Sequence, residues 1–163
     1  MLDDLKMIHQ RDAQDALGVA EKQWQQLLHE YQVSSIKYQG IENVVLAGMG
    51  GSGWPAIYLQ VWGEPKVPFE IVRNYDLPAY VGKDTLFISS SYSGNTEETL
   101  SALDEAEARG AQIVVISAGG KLAERARAKQ YPFFEIPGGI QPRMSSFYFL
   151  VGLTQLLESL GLV

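Results

Sequence analysis

The stretch ISSSYSGNTEET, at positions 88–99, begins as an apolar strand and continues as a helix. Before its first charged side chain, Glu97, it contains four serines, one glycine, one asparagine and one threonine. The N-terminus of a helix leaves its first amide groups without intrahelical partners and carries a partial positive charge. Neutral hydroxyl groups beside such a helix start predict a site for a small anion.

Short apolar runs on both sides of this stretch predict a parallel sheet. The predicted strands are NVVLAG (43–48), FEIVR (69–73), TLFISSS (85–91), QIVVIS (112–117) and FFEIP (133–137). Helical patterns span 54–62, 96–108, 122–129 and about 144–160, and an earlier one lies within 12–31. This order predicts an α/β fold, a three-layer doubly wound domain of about five parallel strands. We expect an N-terminal helical segment at 1–40 and one globular domain at 41–163.

Composition excludes several classes of protein and partner. A chain of 163 residues that is 46% hydrophobic is long enough for one domain with a sizeable core. It has no cysteine, which excludes disulfides and thiolate metal sites and favours a cytoplasmic location. The formal net charge of −6 argues against nucleic acid or an anionic membrane as partner. No run is long and apolar enough for a membrane span, and two separated histidines predict no metal site.

A second turn of unusual composition is GMGGSGWP at 48–55, after the first predicted strand. Ligands of doubly wound sheets bind beyond the carboxyl ends of the strands, where both turns are expected. Glycines allow the backbone to approach a ligand closely. Neither turn contains lysine or arginine. This favours a single phosphate monoester over a polyphosphate, which usually recruits a lysine or a magnesium ion.

Two other interpretations of these turns remain open. Asn95 or Thr96 could simply cap the following helix, as serine, threonine, asparagine and aspartate often do. Gly48, Gly50 and Gly53 also satisfy the G-x-G-x-x-G pattern of dinucleotide sites. The acidic residue expected about 20 positions later is missing, although Arg73 could accept a phosphorylated dinucleotide. That alternative leaves the hydroxyl-rich turn unexplained.

The motifs GMGGSG, SYSGNTEET and GGIQPR together resemble the sugar isomerase (SIS) domain. More narrowly, they are similar to the N-terminal half of bifunctional phosphoglucose/phosphomannose isomerases, and the likeness runs along essentially the whole chain. The resemblance implies a flavodoxin-like fold, a phosphorylated hexose as ligand and no cofactor. Its phosphate-binding hydroxyls correspond to Ser91, Ser93 and Thr96. The other implied substrate-binding positions are Gly50, Gly51, Ser52, Gly94 and Asn95.

Arg143, in the QPR motif, corresponds to the arginine that this family uses near the reacting carbons. A fixed guanidinium there would stabilise the negative enediolate of an aldose–ketose isomerisation. The alternative for Arg143 is a surface arginine at the start of the last helix. The family's catalytic glutamate and histidine lie in a second SIS domain, and nothing in this sequence matches them. His9 and His29 are interpreted as solvated or packing residues.

Three functional hypotheses therefore compete. The first is the phosphate-binding half of such an isomerase, inactive alone; the second is a separate sugar-phosphate sensing or binding module. The third is an isomerase with its active site between identical subunits. The predicted last helix is apolar on more than one side, so we expect a second domain or a second subunit to cover it, unless it lies deep in its own layer.

Overall fold

The structure, a computed structural model, describes residues 3–33 and 36–163. Positions 1, 2, 34 and 35 of the predicted N-terminal segment lie outside the described residues. The α-helices are α1 (Leu5–Arg11), α2 (Ala16–Lys22), α3 (Trp54–Trp62), α4 (Glu97–Ala108), α5 (Gly120–Lys129) and α6 (Ser146–Ser159). The strands are β1 (Asn43–Gly48), β2 (Phe69–Val72), β3 (Thr85–Ser91), β4 (Gln112–Ser117) and β5 (Phe133–Glu135). Short 3₁₀ helices cover Gln23–Leu28, Gly50–Ser52 and Pro142–Met144.

The five strands form one parallel sheet in the order β2-β1-β3-β4-β5. All five lie where the apolar runs predict them, and the order is that of flavodoxin-like folds. From β1 the chain runs outward to β2 and then returns to the other side of β1 as β3. The carboxyl ends of β1 and β3 therefore flank the point where the strand order reverses, which is the usual ligand position in such sheets.

Each face of the sheet has its own hydrophobic core, as the three-layer prediction requires. Successive residues of a strand point to opposite faces. Leu46 and Ile88 pack with α3 and α6 on one face. Val45 and Phe87 pack with α4 and α5 on the other. All four strand residues are fully buried.

The N-terminal helical pattern takes a different form from the one continuous helix that its spacing suggests. Within the predicted range 12–31, α2 is followed directly by the 3₁₀ helix Gln23–Leu28. A 3₁₀ helix has three residues per turn, so side chains at i and i+3 lie in line. Gln23 and Gln26 are three apart, and both side-chain amides donate to the carbonyl oxygen of Met144, at 3.2 and 2.6 Å.

One side of the last helix is buried within its own chain, which is the alternative that the sequence leaves open beside a second domain or subunit. Phe149, Leu153, Leu156 and Leu157 are buried in the core beneath the sheet. Helix α3 also exposes apolar surface, with Val61 and Trp62 81% and 73% exposed.

No helix in the described part of the chain is long and apolar enough to cross a membrane.

Candidate functional site

The two glycine- and hydroxyl-rich turns lie side by side at the carboxyl ends of β1 and β3. The hydroxyl oxygen of Ser52 accepts a hydrogen bond from the backbone N–H of Tyr92, at 3.1 Å. The Ser90 hydroxyl donates to the carbonyl oxygen of Ser52, at 2.8 Å. Gly48 and Ser90 are also paired in register across the two strands. The turns are therefore joined by both backbone and side-chain contacts, as their shared edge of the sheet predicts.

The three hydroxyl groups predicted to bind phosphate form one cluster after β3. Ser91 Oγ lies 2.7 Å from Thr96 Oγ1 and 3.5 Å from Ser93 Oγ. Ser91 Oγ also accepts from the N–H of Gly94 at 3.2 Å, and Ser93 Oγ accepts from the N–H of Asn95 at 3.2 Å. Ser91 is buried, whereas Ser93 is exposed. The cluster therefore runs from the sheet interior to the surface.

Helix α4 begins at this hydroxyl cluster without a side-chain cap. Thr96 occupies its N-cap position with extended backbone angles, but its hydroxyl makes no capping hydrogen bond. That hydroxyl instead contacts Ser91. The alternative that Thr96 serves only as a cap is therefore not what the geometry shows. The amide groups of the first turn keep their capacity to donate to an anion, which their partial positive charge favours.

Gly94 and Asn95 hold the turn against the start of α5. Gly94 has φ +67°, and a Cβ there would lie 1.8 Å from the carbonyl oxygen of Gly119. The Gly94 carbonyl accepts from the N–H of Leu122 at 3.0 Å. Asn95 Oδ1 accepts from the N–H of Lys121 at 3.1 Å. The Asn95 side chain therefore supports the turn by capping α5.

Gly50 and Gly51 bring the first turn against the QPR motif. Gly50 has φ +49°, in the left-handed region that favours glycine. A Cβ on Gly51 would lie 3.4 Å from the Pro142 carbonyl oxygen and 3.6 Å from the Arg143 Cα. The Arg143 side chain is exposed, and it takes part in none of the ion pairs of the described residues. Arg143 is thus a cation beside the turn after β1, which contains no cation of its own.

Tyr92 connects three loops, and the sequence analysis did not identify it. Its N–H donates to Ser52, and its carbonyl oxygen accepts from Ala118 N–H at 3.1 Å. Its hydroxyl oxygen accepts from the N–H of Ile140 at 3.2 Å. Tyr92 thereby joins the turn after β1, the turn after β4 and the loop that leads to Arg143. The only signal in the sequence was an aromatic residue within the serine-rich turn.

Glutamine side chains of the N-terminal segment hold the loop that carries Arg143. Besides the bonds to the Met144 carbonyl, Gln26 Oε1 accepts from the N–H of Tyr148 at 3.4 Å. Gln26 is 5% exposed, so these polar contacts lie away from water. Gln14 and Gln141 also bond through their side chains. The segment before β1 is therefore packed against the site loop.

We expect Gln26→Leu to lower the free energy of unfolding by about 1–3 kcal/mol, because the Met144 carbonyl loses the shorter of its two glutamine donors and the N–H of Tyr148 loses its acceptor. Gln60→Leu is a matched control, since Gln60 donates to the Phe69 carbonyl at 2.6 Å but is exposed. Its loss should stay within about 0.5 kcal/mol. Urea unfolding of the three proteins measures both values. Equal losses in the two variants would contradict the role assigned to Gln26.

Tyr75 and the two histidines are not assigned a chemical role in the site. Desolvation, followed by the charges of Glu97 and Glu98, raises the pKa of the Tyr75 phenol. Tyr75 therefore stays protonated at neutral pH beside the first turn of α4. His9 is exposed. The His29 ring packs edge-on against Tyr31 at a centroid distance of 4.5 Å. Both histidines are thus solvated or packing residues, as predicted.

The glycine fingerprint after β1 has a packing explanation at its third position. A Cβ on Gly53 would lie 2.5 Å from the carbonyl oxygen of Gly48. Glycine is therefore required at that position by the fold of the turn itself. The G-x-G-x-x-G match does not need a dinucleotide to account for it.

Comparison with known proteins gives one family and several relatives. The profile of the SIS domain matches residues 42–132. The bifunctional phosphoglucose/phosphomannose isomerase of Caldicellulosiruptor bescii is 45% identical over 131 residues, which cover 79% of this chain and 39% of that protein. The D-glucosamine-6-phosphate 4-epimerase of Sulfolobus acidocaldarius is 38% identical over 118 residues, 72% of this chain and 38% of that protein. The chain spans about two fifths of the length of these curated relatives.

Among solved structures, the Vibrio vulnificus NanR protein complexed with ManNAc-6P has a TM-score of 0.60. The match covers 97% of this chain and 66% of that one, at 18% sequence identity. At this identity the likeness concerns the fold alone.

Proposed function

Since the chain belongs to the SIS domain family, we propose that it binds a hexose 6-phosphate with the phosphate in the turn after β3. The observation that carries this proposal is the position of the Thr96 hydroxyl. It lies 2.7 Å from Ser91 Oγ and leaves the start of α4 uncapped. Hydroxyl groups and uncapped helix amides thus occur together at the start of α4, and both stabilise an oxyanion.

The proposed binding site has two parts. Ser91, Ser93 and Thr96 bind the phosphate, while Gly94 and Asn95 keep their turn in shape. Gly50, Gly51 and Ser52 approach the sugar from the turn after β1. Hydrogen bonds to a charged group contribute roughly 1.5–3 kcal/mol each. We therefore expect a dissociation constant between about 1 μM and 1 mM, the usual range for metabolic substrates.

The proposed chemistry of the complete site is aldose–ketose isomerisation through a cis-enediol. Removing a proton next to a carbonyl builds negative charge on oxygen, and the Arg143 guanidinium would stabilise it. The turns themselves supply neutral hydroxyls and amides, which bind an anion but do not remove a carbon-bound proton. We propose that the base and the group that opens the sugar ring come from a second SIS domain or another subunit. The cytoplasm stays our prediction for the compartment, on the lack of cysteine.

A sugar-phosphate binding or sensing module is the second candidate. This candidate is favoured because the two turns supply groups that can bind a sugar phosphate but no group that can act as a base. Heating the protein with glucose 6-phosphate, fructose 6-phosphate or mannose 6-phosphate tests the shared claim. We expect a higher melting temperature with at least one of them, and none with glucose. A rise with a nicotinamide dinucleotide alone would overturn the assignment. An assay coupled to fructose 6-phosphate formation then separates the isomerase from the module.

We expect Arg143→Ala to leave the free energy of unfolding within about 0.5 kcal/mol, because the side chain is exposed. The same change should weaken binding of a five-carbon sugar-acid phosphate by roughly 10- to 100-fold. The carboxylate of this compound has the negative charge that the enediolate would develop, so the compound tests whether Arg143 interacts with that charge. Calorimetric titration of wild type, Arg143→Ala and Arg73→Ala measures the difference. If Arg73→Ala weakens binding more than Arg143→Ala does, the role of Arg143 is wrong.

A further inference from the structure

The loop between β5 and Arg143 contains two adjacent glycines with open space around them. Gly138 and Gly139 are both exposed, and a Cβ on either would meet nothing within 4 Å. Gly139 also has φ +89°, in the left-handed region that favours glycine. This pair therefore gains no support from side-chain packing within the part of the chain that the structure describes. Arg143 follows shortly after it, so the position of Arg143 depends on what holds this loop.

The Tyr92 hydroxyl bridges the two ends of the glycine pair. It accepts from the N–H of Ile140 at 3.2 Å, directly after the pair. It donates a longer bond, at 3.5 Å, to the carbonyl oxygen of Pro137, directly before the pair. Among the hydrogen bonds of the described residues, these two are the only ones made by residues 137–140. One phenol thus holds both ends of the least supported part of the loop.

Tyr92 is itself held in place beside the phosphate turn. It lies between Ser91 and Ser93 in the sequence, and its ring packs against the hydrophobic core beneath α3 and α6. Its backbone N–H donates to Ser52 Oγ, and its carbonyl oxygen accepts from the N–H of Ala118, both at 3.1 Å. Because the backbone and the ring are both fixed, the hydroxyl is a rigid support for the loop.

The 3₁₀ helix Pro142–Met144 carries Arg143 and is supported from both ends. At its end, glutamine side chains of the N-terminal segment donate to the Met144 carbonyl oxygen. Before its start, the Tyr92 hydroxyl accepts from the N–H of Ile140. A helix of one turn moves as a unit, so loss of either support should let the Arg143 guanidinium shift. Small shifts of a positioned group have large effects on binding and chemistry.

We propose that Tyr92 is a positioning residue, whose hydroxyl holds Arg143 in place toward a sugar phosphate bound in the turn after β3. This inference rests on the proposed function and adds that the phosphate turn and the arginine loop are supported by one side chain. A guanidinium stabilises negative charge best when it is held in place beforehand. Tyr92 acts through Arg143 and not by contact with the ligand. Loss of its hydroxyl should therefore affect a ligand with a negative group near Arg143 and spare the phosphate.

Calorimetric titration of the full chain with two ligands tests this role. Tyr92→Phe keeps the ring and removes only the hydroxyl. We expect it to weaken binding of a five-carbon sugar-acid phosphate by roughly 3- to 10-fold, the range of one neutral hydrogen bond. Binding of a hexose 6-phosphate should change by less than about 2-fold. Equal weakening of both ligands, or an unchanged affinity for the sugar-acid phosphate, would overturn the proposal.

Two further variants separate positioning from a general loss of structure. Tyr38→Phe also removes a phenol, one that donates to the Ile113 carbonyl oxygen at 2.7 Å near the start of β4, away from the site. This control should bind both ligands as wild type does. In the Arg143→Ala protein, adding Tyr92→Phe should weaken sugar-acid phosphate binding by less than about 2-fold. Additive losses would show that Tyr92 does not act through Arg143.

Amide hydrogen exchange of the full chain without ligand tests the support of the loop by itself. The Ile140 N–H should exchange at least about threefold faster in Tyr92→Phe than in wild type, because it loses its acceptor. An unchanged rate would reject the role of Tyr92, whatever the ligands do.

The two ligands also distinguish failure of this proposal from failure of the proposed function. If wild type binds hexose 6-phosphate but not the sugar-acid phosphate, Arg143 does not face the ligand. The positioning role is then wrong, while the proposed function stands. If wild type binds neither ligand, the proposed function fails, and the exchange rate at Ile140 alone decides whether Tyr92 holds the loop.

Discussion

The variant Ser93→Ala/Thr96→Ala is expected to lose the rise in melting temperature that a hexose 6-phosphate gives to wild type. Both side chains lie within hydrogen-bond distance of Ser91 in the cluster at the start of α4. Each hydrogen bond to a charged group contributes roughly 1.5–3 kcal/mol. Losing two should weaken binding at least about 100-fold. Thermal shift at a fixed ligand concentration, supported by calorimetric titration, measures the loss.

The matched control for this variant is Ser101→Ala/Thr154→Ala. It also removes one serine and one threonine hydroxyl, but from half-buried positions on α4 and α6. This control should bind as wild type does. The melting temperature of each variant without ligand separates loss of binding from loss of folding. A full ligand-induced shift in Ser93→Ala/Thr96→Ala would show that the phosphate binds elsewhere.

We expect Gly94→Ala to destabilise the protein by at least about 3 kcal/mol, more than most single substitutions do. The Cβ would lie 1.8 Å from the Gly119 carbonyl oxygen and 2.8 Å from Ser117 Oγ, at a backbone with φ +67°. Backbone atoms must then move, which separates the turn after β3 from the start of α5. In a domain of this size the melting temperature should fall by at least about 6 °C. Differential scanning calorimetry measures it.

Gly110→Ala distinguishes the clash from backbone strain. Gly110 has a similar φ of +75°, but a Cβ there meets nothing within 4 Å. This control should lose only the roughly 1–2 kcal/mol that the left-handed conformation costs other residues. The difference between the two variants then reports the contact between Gly94 and Gly119. If both variants lose a similar free energy of unfolding, the close contact between Gly94 and Gly119 does not contribute to the effect of Gly94→Ala.

The strands and the two site turns could be predicted because their signals are local. Each strand is a short run of apolar residues that is buried on both faces, and this pattern needs no knowledge of distant contacts. The alternation of strands and helices then fixes a parallel sheet, and its carboxyl edge brings Ser52 and Ser91 to neighbouring positions. The hydrogen bond from the N–H of Tyr92 to Ser52 is one contact between these two turns.

The supporting contacts could not be predicted, since they join residues far apart in the chain. The Asn95 side chain caps α5, which begins 25 positions later. Gln26 bonds to Met144 across more than one hundred residues. No spacing pattern relates such pairs. The exposure of Trp62 could not be predicted either. A helix with apolar residues on several sides has the sequence pattern of a fully buried helix.

The absence of lysine and arginine from the two turns affects how ionic strength should act on the complex. Mobile ions weaken attraction between separated charges, with a Debye length of about 8 Å at physiological salt. Hydroxyl groups and helix amides act only at contact distance, where no counterion fits between donor and acceptor. The phosphate should therefore stay bound when potassium chloride is raised several-fold, whereas a site built from surface lysines would release it.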